Sequence, residues 1–258
     1  MTDMPLVSIV MPAFNAEKTI AQAIQSVLDQ TFGDYEFLIV DDCSGDGTGA
    51  LCRAFAEKDG RLRLIRNDVN KGVALSRNLG IEAARGQWIA FLDSDDLWHA
   101  EKLERQLRFM EETKAVISYT ASAFIETTGE AYAYILRAAY RLTYNELLRR
   151  NLMSCSSVMV RRDSMLAHKF TGGPIHEDYA SWLRIVREEG AAYGLDEPLL
   201  TYRLSKTSRS GRRFHSGLMV LRTYLAVGYG FTAAIALTLR YAVHSVTKRH
   251  HLRRKGHV

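Results

Sequence analysis

A chain of 258 residues with 47% apolar content carries enough hydrophobic side chain for one large domain, or a domain with a modest appendage. Its net charge of +5 is gathered at one end: residues 240–258 hold six Lys or Arg and no Asp or Glu, and without them 28 basic residues face 29 acidic ones. A basic, nucleic-acid-binding surface spread over the body of the protein is thereby excluded.

Met1 to Pro5 is short, carries Asp3 and leads straight into an apolar run, unlike a secretory signal. Leu6 to Met11 is β-branched and apolar, a buried strand ended by Pro12. Glu17 to Gln30 brings Ile20, Ile24, Val27 and Leu28 to one helical face. Tyr35 to Val40 is a second buried strand, closing on Asp41 and Asp42. Gly45, Gly47 and Gly49 loosen the next loop before a helix over Ala50 to Lys58. Leu62 to Arg66 is a third strand, Val73 to Ala84 a helix, and Trp88 to Leu92 a fourth strand ending in Asp93-Ser94-Asp95-Asp96. This alternation predicts an α/β fold whose largely parallel sheet is covered on both faces, with ligands beyond the carboxyl ends of the strands. The second half is less regular: strands over Ala115 to Phe124 and Ser156 to Val160, helices over Tyr144 to Arg150 and Tyr179 to Glu189. Gly211 to Ser216 is the best boundary before a helical end. Cys43, Cys52 and Cys155 are odd in number, show no CxxC spacing, and read as free thiols of a reducing compartment, so the cytoplasm is expected.

The carboxylates gather where ligands are expected. Asp93 and Asp95 project from one short turn, and hard oxygen ligands suit Mg²⁺ or Mn²⁺ held together with substrate phosphates. An acidic turn or a helix cap is the alternative, and Asp96 is the residue expected to cap the helix near Trp98. Asp42 either accepts hydrogen bonds from a base or ribose, or caps its own loop. Gly45-Asp46-Gly47 is too short for a dinucleotide fingerprint, and no GxxxxGK[ST] loop occurs. Phosphate binding through a metal fits better.

Five segments carry a resemblance: VSIVMPAFNAEKTI (Val7 to Ile20), VDDCSGDGT (Val40 to Thr48), NKGVALSRNLGIEAARG (Asn70 to Gly86), FLDSDD (Phe91 to Asp96) and HEDYASWLRI (His176 to Ile185). In this order the chain resembles glycosyltransferase family 2, whose members invert the anomeric centre on a GT-A fold, and within it the bacterial enzymes of teichuronic acid and related surface polysaccharides. The resemblance implies a nucleotide-sugar donor, UDP-linked, bound by Ala13, Phe14, Asn15, Glu17, Asp42, Arg77, Asp93 and Ser94. It implies Asp93 and Asp95 as ligands of Mn²⁺ or Mg²⁺, and Asp178 as the general base that deprotonates the acceptor hydroxyl. Capping of the helix from Tyr179 is the other reading of Glu177 and Asp178. His176, Glu177 and Trp182 are candidates for acceptor or phosphate contacts; His176 is a candidate metal ligand as well, a lone His being more often structural. The QxxRW motif of processive synthases is absent, which points to one sugar per encounter.

Tyr202 to Arg213 packs five cations among hydroxyl residues; such a stretch either closes over phosphates, with Arg203 and Lys206 foremost, or is a solvated loop. Thr223 to Leu239 is 17 residues without charge, at the short edge of a membrane span. Beyond it Arg240, His244, Lys248 and His251 draw a polar stripe, and Ile235, Leu239, Val243 and Val246 an apolar one. A span would carry the basic end outside, against the positive-inside bias. The expectation is an amphipathic helix lying on the inner leaflet of the cytoplasmic membrane, peripheral rather than spanning, beside a lipid-linked glycan acceptor; a helix packed on its own domain is the alternative. The expected organisation is a GT-A domain over residues 1–210 (nucleotide-sugar half 1–100, acceptor half 101–210) and a basic helical end over 211–258. A sugar-phosphate nucleotidyltransferase and a non-catalytic sugar-nucleotide-binding scaffold are the rival functions.

Overall fold

A computed structural model describes residues 4–126, 128–204 and 213–254. The first half alternates as the apolar runs predict: β1 (Val7–Ala13), α1 (Ile20–Leu28), β2 (Tyr35–Asp41), α2 (Thr48–Ala56), β3 (Leu62–Arg66), α3 (Val73–Ala83) and β4 (Trp88–Phe91). Every residue of β1, β2 and β4 is buried, which is why these strands read as unbroken apolar runs. They pair in parallel, β3 to β2 to β1 to β4, so the ends of β1, β2 and β4 open on one edge of the sheet.

After β5 (Leu97–Trp98) and α4 (Lys102–Thr113) come β6 (Ile117–Glu126), β7 (Ala131–Leu136), β8 (Arg141–Thr143), α5 (Tyr144–Leu147), a 3-10 turn (Cys155–Ser157), β9 (Met159–Arg161), α6 (Arg162–Ala167), α7 (Glu177–Glu189) and β10 (Ala191–Leu204). The sheet order is β3-β2-β1-β4-β9-β6-β10-β5, with β7 on β6 and β8 on β10. The main strands follow the expected largely parallel plan: β3, β2, β1, β4, β6 and β10 all run the same way. The short β9 is inserted antiparallel between β4 and β6, and β5, β7 and β8 also pair antiparallel, so the whole sheet is mixed.

Strand alternation divides the core by face. Val10, Leu38, Ile89, Phe91 and Tyr119 meet α3, α5, α6 and α7 on one side. Ile9, Met11, Phe37, Ile39 and Ala90 meet α1, α2 and α4 on the other. Close approach of chain segments is needed where α3 hands over to β4: a Cβ on Gly86 would lie 2.6 Å from the Ser8 amide nitrogen and 2.7 Å from the Val7 carbonyl carbon. Both are backbone atoms of the central strand. Gly86→Ala is therefore expected to destabilise the fold by about 1–3 kcal/mol, read as a lower urea midpoint at unchanged slope; an unchanged midpoint would contradict this packing.

The C-terminal segment forms α8 (Arg213–Ala226) and α9 (Phe231–Arg254). The uncharged stretch Thr223 to Leu239 is thus two helices, parted at Gly228, whose φ of +98° suits glycine. Among the described residues no helix is long and apolar enough to cross a membrane. Val220, Tyr224, Val227 and Ala234 are buried in the same core as α7, so the inner side of this pair is part of the main body. The boundary expected at residue 210 lies outside the described residues.

Candidate functional site

The loops after β1 and β2 are stapled together. Asn15, at a left-handed φ of +49°, accepts the Gly45 amide on its Oδ1 at 2.9 Å and donates its own amide to Ser44 Oγ at 3.0 Å. Glu17 Oε2 accepts the Gly47 amide at 2.9 Å, and the Ala16 amide reaches Thr48 Oγ1 at 2.7 Å. Asn15 and Glu17, expected to line the nucleotide pocket, thus spend their side chains on shaping it. Ala13 is buried, whereas Phe14 is 50% exposed at the strand edge.

Asp42 follows β2 with its carboxylate turned inward. Oδ1 accepts Asn67 Nδ2 and the Lys71 amide, both at 2.8 Å, and Oδ2 accepts the Gly72 amide at 2.7 Å. Burial works against the charge, but these donors prevail and hold the carboxyl below its ordinary range. The Ser76 hydroxyl adds a further donor to this carboxylate, which is 3% exposed.

Beyond β4 the acidic turn divides its carboxylates. Asp96 is fully buried and caps no helix, α4 beginning only at Lys102. Instead its Oδ2 accepts Ser156 Oγ at 2.6 Å and its Oδ1 the Arg203 amide at 2.9 Å, tying the turn to the 3-10 turn and to β10. The capping expectation failed because residue type alone does not reveal a long-range partner. Ser156 Oγ also accepts the Asp93 amide at 3.0 Å. Asp93, Ser94 and Asp95 remain partly open to solvent. Burial and the neighbouring Asp93 push Asp95 up to about 6, the behaviour of a carboxylate crowded by like charge. The pair fits a hard divalent cation. Among the described residues no third His, Cys, Asp or Glu converges to close a site, which leaves coordination positions for diphosphate oxygens and water.

Arg77, expected to secure the nucleotide, lies buried between two carboxylates: Nη2 is 2.5 Å from Asp93 Oδ1 and Nη1 3.3 Å from Glu177 Oε1. With only 4% of its side chain exposed, it ties the acidic turn to the start of α7. There His176 occupies the N-cap, its amide donating to Thr223 Oγ1 at 3.0 Å. Asp178 Oδ1 accepts the adjacent Tyr179 amide at 2.7 Å. Burial and the Glu177 charge raise the Asp178 carboxyl above its ordinary range against the pull of Arg77 and His176. Arg77 thus links Asp93 to Glu177, the residue before Asp178 at the start of α7.

Two further candidates are committed to structural contacts. Trp182 is 0% exposed, packed against Phe91 and Phe170 with ring centroids 5.9 and 5.7 Å away, so an acceptor contact is ruled out by the burial of that face of α7. Arg203 belongs to β10, not to a free basic loop: Nε donates to the Asp95 carbonyl and Nη2 to Gln22 Oε1, each at 2.9 Å. It braces the acidic turn from behind. Lys206 lies outside the described residues. Ser156, unremarkable within Ser154-Cys155-Ser156-Ser157, went unread, as did a groove of about 480 Å³ bounded by Lys18, Gln22, Leu97, Ile125 and Arg203.

Comparison with known proteins finds a family, relatives and solved structures of like fold. The model of the family described as Glycosyl transferase family 2 matches residues 8–169. A Bacillus subtilis protein named as a teichuronic acid biosynthesis glycosyltransferase, TuaG, is 34% identical over 95% of this chain and 98% of its own. The Escherichia coli UDP-Glc:alpha-D-GlcNAc-diphosphoundecaprenol beta-1,3-glucosyltransferase WfgD is 37% identical over 81% of each. Among solved structures, S. aureus TarS 1-349 in complex with UDP-GlcNAc superposes with a TM-score of 0.71 at 17% identity, over 92% of this chain and 71% of that one. The mannosyltransferase PcManGT of Pyrobaculum calidifontis, in complex with GDP-Man and Mn²⁺, also reaches 0.71, at 16% identity over 95% and 74%. These likenesses show the GT-A fold.

Proposed function

Because the chain belongs to glycosyl transferase family 2, we propose that it moves a single sugar, with inversion, from a UDP-sugar to a lipid-linked glycan acceptor during bacterial surface polysaccharide synthesis. One observation supports the reading above all: Arg77 touches Asp93 on one side and Glu177 on the other, so the acidic turn suited to the donor diphosphate is tied to the start of α7, where Asp178, the carboxylate suited to the acceptor, follows Glu177. In the reaction Asp178 accepts the proton of an acceptor hydroxyl, whose oxygen bonds to the anomeric carbon from the face opposite the diphosphate. The bond from that carbon to the phosphate oxygen breaks, and UDP leaves with the electron pair. Mn²⁺ or Mg²⁺, held by Asp95 and Asp93, would supply charge neutralisation at the departing diphosphate. Asp42 takes the nucleoside end.

The UDP and lipid-diphosphate parts draw support from the name of WfgD; the GDP-Man complex of PcManGT makes GDP the rival. Purified protein supplied with UDP-, GDP- and TDP-sugars and a polyprenyl-diphosphate-linked GlcNAc tests both parts. Acceptor-dependent release of UDP is expected; turnover with GDP- or TDP-sugars instead would overturn the donor assignment.

A lipid-linked acceptor brings the enzyme to the inner leaflet, as a peripheral protein. In support, α9 bares Phe231, Ile235, Leu239 and Val243, and α8 bares Leu218 and Leu225, ahead of the basic end of the chain. Each basic residue near an anionic surface contributes roughly 1 kcal/mol. Leu239→Glu with Val243→Glu is expected to weaken binding to phosphatidylglycerol vesicles, read by pelleting, about thirtyfold, allowing about 1 kcal/mol for each of the two lost apolar contacts. Pelleting equal to the unsubstituted protein would contradict this surface.

A further inference from the structure

Beneath the acidic turn lies a lysine that the proposed reaction does not use. Lys102 opens α4, is 0% exposed, and holds its Nζ 3.8 Å from the centroid of the Trp98 ring. Among the described residues Nζ has no hydrogen-bond acceptor, and burial draws the amine well below the ordinary lysine range. An unpartnered amine in a core is costly, and an apolar side chain of the same length would fill the space. Its surroundings suggest why the amine is there.

Trp98 does more than fill volume. Its indole N–H donates to the Ser156 carbonyl at 2.8 Å. One helical turn beyond Lys102, Gln106 Nε2 donates to the Ser157 carbonyl at 3.1 Å and to Ser118 Oγ at 2.9 Å. The 3-10 turn is thus gripped from below by α4 and β5, and it grips the acidic turn above: Ser156 Oγ accepts the Asp93 amide and donates to Asp96. Asp96 in turn accepts the Arg203 amide. An unbroken chain of contacts leads from Lys102 through Trp98 and Ser156 to the backbone of Asp93.

We propose that Lys102 is a positioning residue for the metal-binding turn: it pins the Trp98 ring, whose N–H fixes Ser156 and thereby the stance of Asp93 toward Asp95. The proposal rests on the donor–metal reading above. Partners one shell out from metal ligands typically change metal affinity 10- to 100-fold when removed; Lys102 stands two contacts behind Ser156, which sets the near end of that range as its expected effect.

The test is Mn²⁺-dependent UDP binding by the full chain, measured by calorimetry beside thermal unfolding. Binding by the unsubstituted protein checks the donor reading separately. Lys102→Met is expected to melt at the same or a higher temperature, because it removes an unpartnered polar group, yet to bind Mn²⁺ with UDP about tenfold more weakly. A purely structural lysine would shift the melting temperature and leave the affinity alone. Trp98→Phe keeps a ring beside Lys102 but deletes the donor to Ser156, and is expected to lose affinity to the same extent. The double variant should be no worse than Trp98→Phe, since both act along one path. Lys102→Met binding within twofold of the unsubstituted protein, or a double variant whose loss is the product of the single losses, would overturn the proposal. Should Lys102→Met not fold, Trp98→Phe decides: unchanged affinity overturns it.

Discussion

Asp178→Asn should lower kcat on the order of 10²- to 10⁴-fold, the usual contribution of a positioned general base, while leaving the affinity for UDP with Mn²⁺ within about twofold. Asparagine matches the carboxylate in size and still accepts the Tyr179 amide through its Oδ1, so the start of α7 keeps its geometry. What it cannot do is take a proton. The burial and Glu177 charge that raise the Asp178 carboxyl also make it a stronger base once ionised. The sign follows: the working form is the carboxylate, so kcat/KM falls as pH is lowered through a value above the ordinary carboxylate range, and that acidic limb vanishes from the residual activity of Asp178→Asn. Equal turnover by the variant would leave Asp178 as a helix-start residue and nothing more.

Asp95→Ala should abolish Mn²⁺-dependent UDP binding. The site offers two carboxylates from one turn and one of them, Asp93, already shares an oxygen with Arg77; Asp95 has the freer set. Losing one of two hard ligands leaves a single shared carboxylate, too little to hold a divalent ion before the diphosphate arrives. Proton and metal also compete for Asp95. With its carboxyl pushed up to about 6, the site binds Mn²⁺ fully above that pH, and affinity drops roughly tenfold per unit below it as the proton must be displaced. Calorimetry across that range tests both statements: an affinity in Asp95→Ala equal to that of the unsubstituted protein, or one indifferent to pH, would refute the assignment.

How much of this was legible depended on where each interaction is made. β1, β2 and β4 were readable because they are buried on both faces, and full burial writes itself as an unbroken apolar run. β10 was not. Gly194, Asp196, Glu197 and Pro198 interrupt its pattern where its pairing with β6 slips between Leu195 and Leu200, so Tyr202 to Leu204 read as the start of a loop. Arg203 was misjudged in consequence, since a strand residue with an inward guanidinium has different partners from one in a solvated loop. Asp42, Asp93, Asp95 and Asp178 stand out in the sequence because they follow strands or open a motif. Their supports do not: Ser156 reaches Asp96 across 60 residues, and Arg77 reaches Glu177 across 100. Trp182 shows the converse error, a residue attractive by type and position that belongs to an aromatic core. The apolar stripe of α9 was plain in its four-residue spacing, whereas the burial of Tyr224 and Ala234 under it depends on α7.

The account stands or falls on direct displacement at the anomeric carbon, with Asp178 behind the attacking oxygen. Proton NMR of the first product formed from an α-linked UDP-sugar measures that directly through the anomeric coupling. A β-linked product from the unsubstituted enzyme, accumulating about 10²- to 10⁴-fold more slowly for Asp178→Asn, is the predicted result. An α-linked product would mean retention, and no single base facing the leaving diphosphate could account for it.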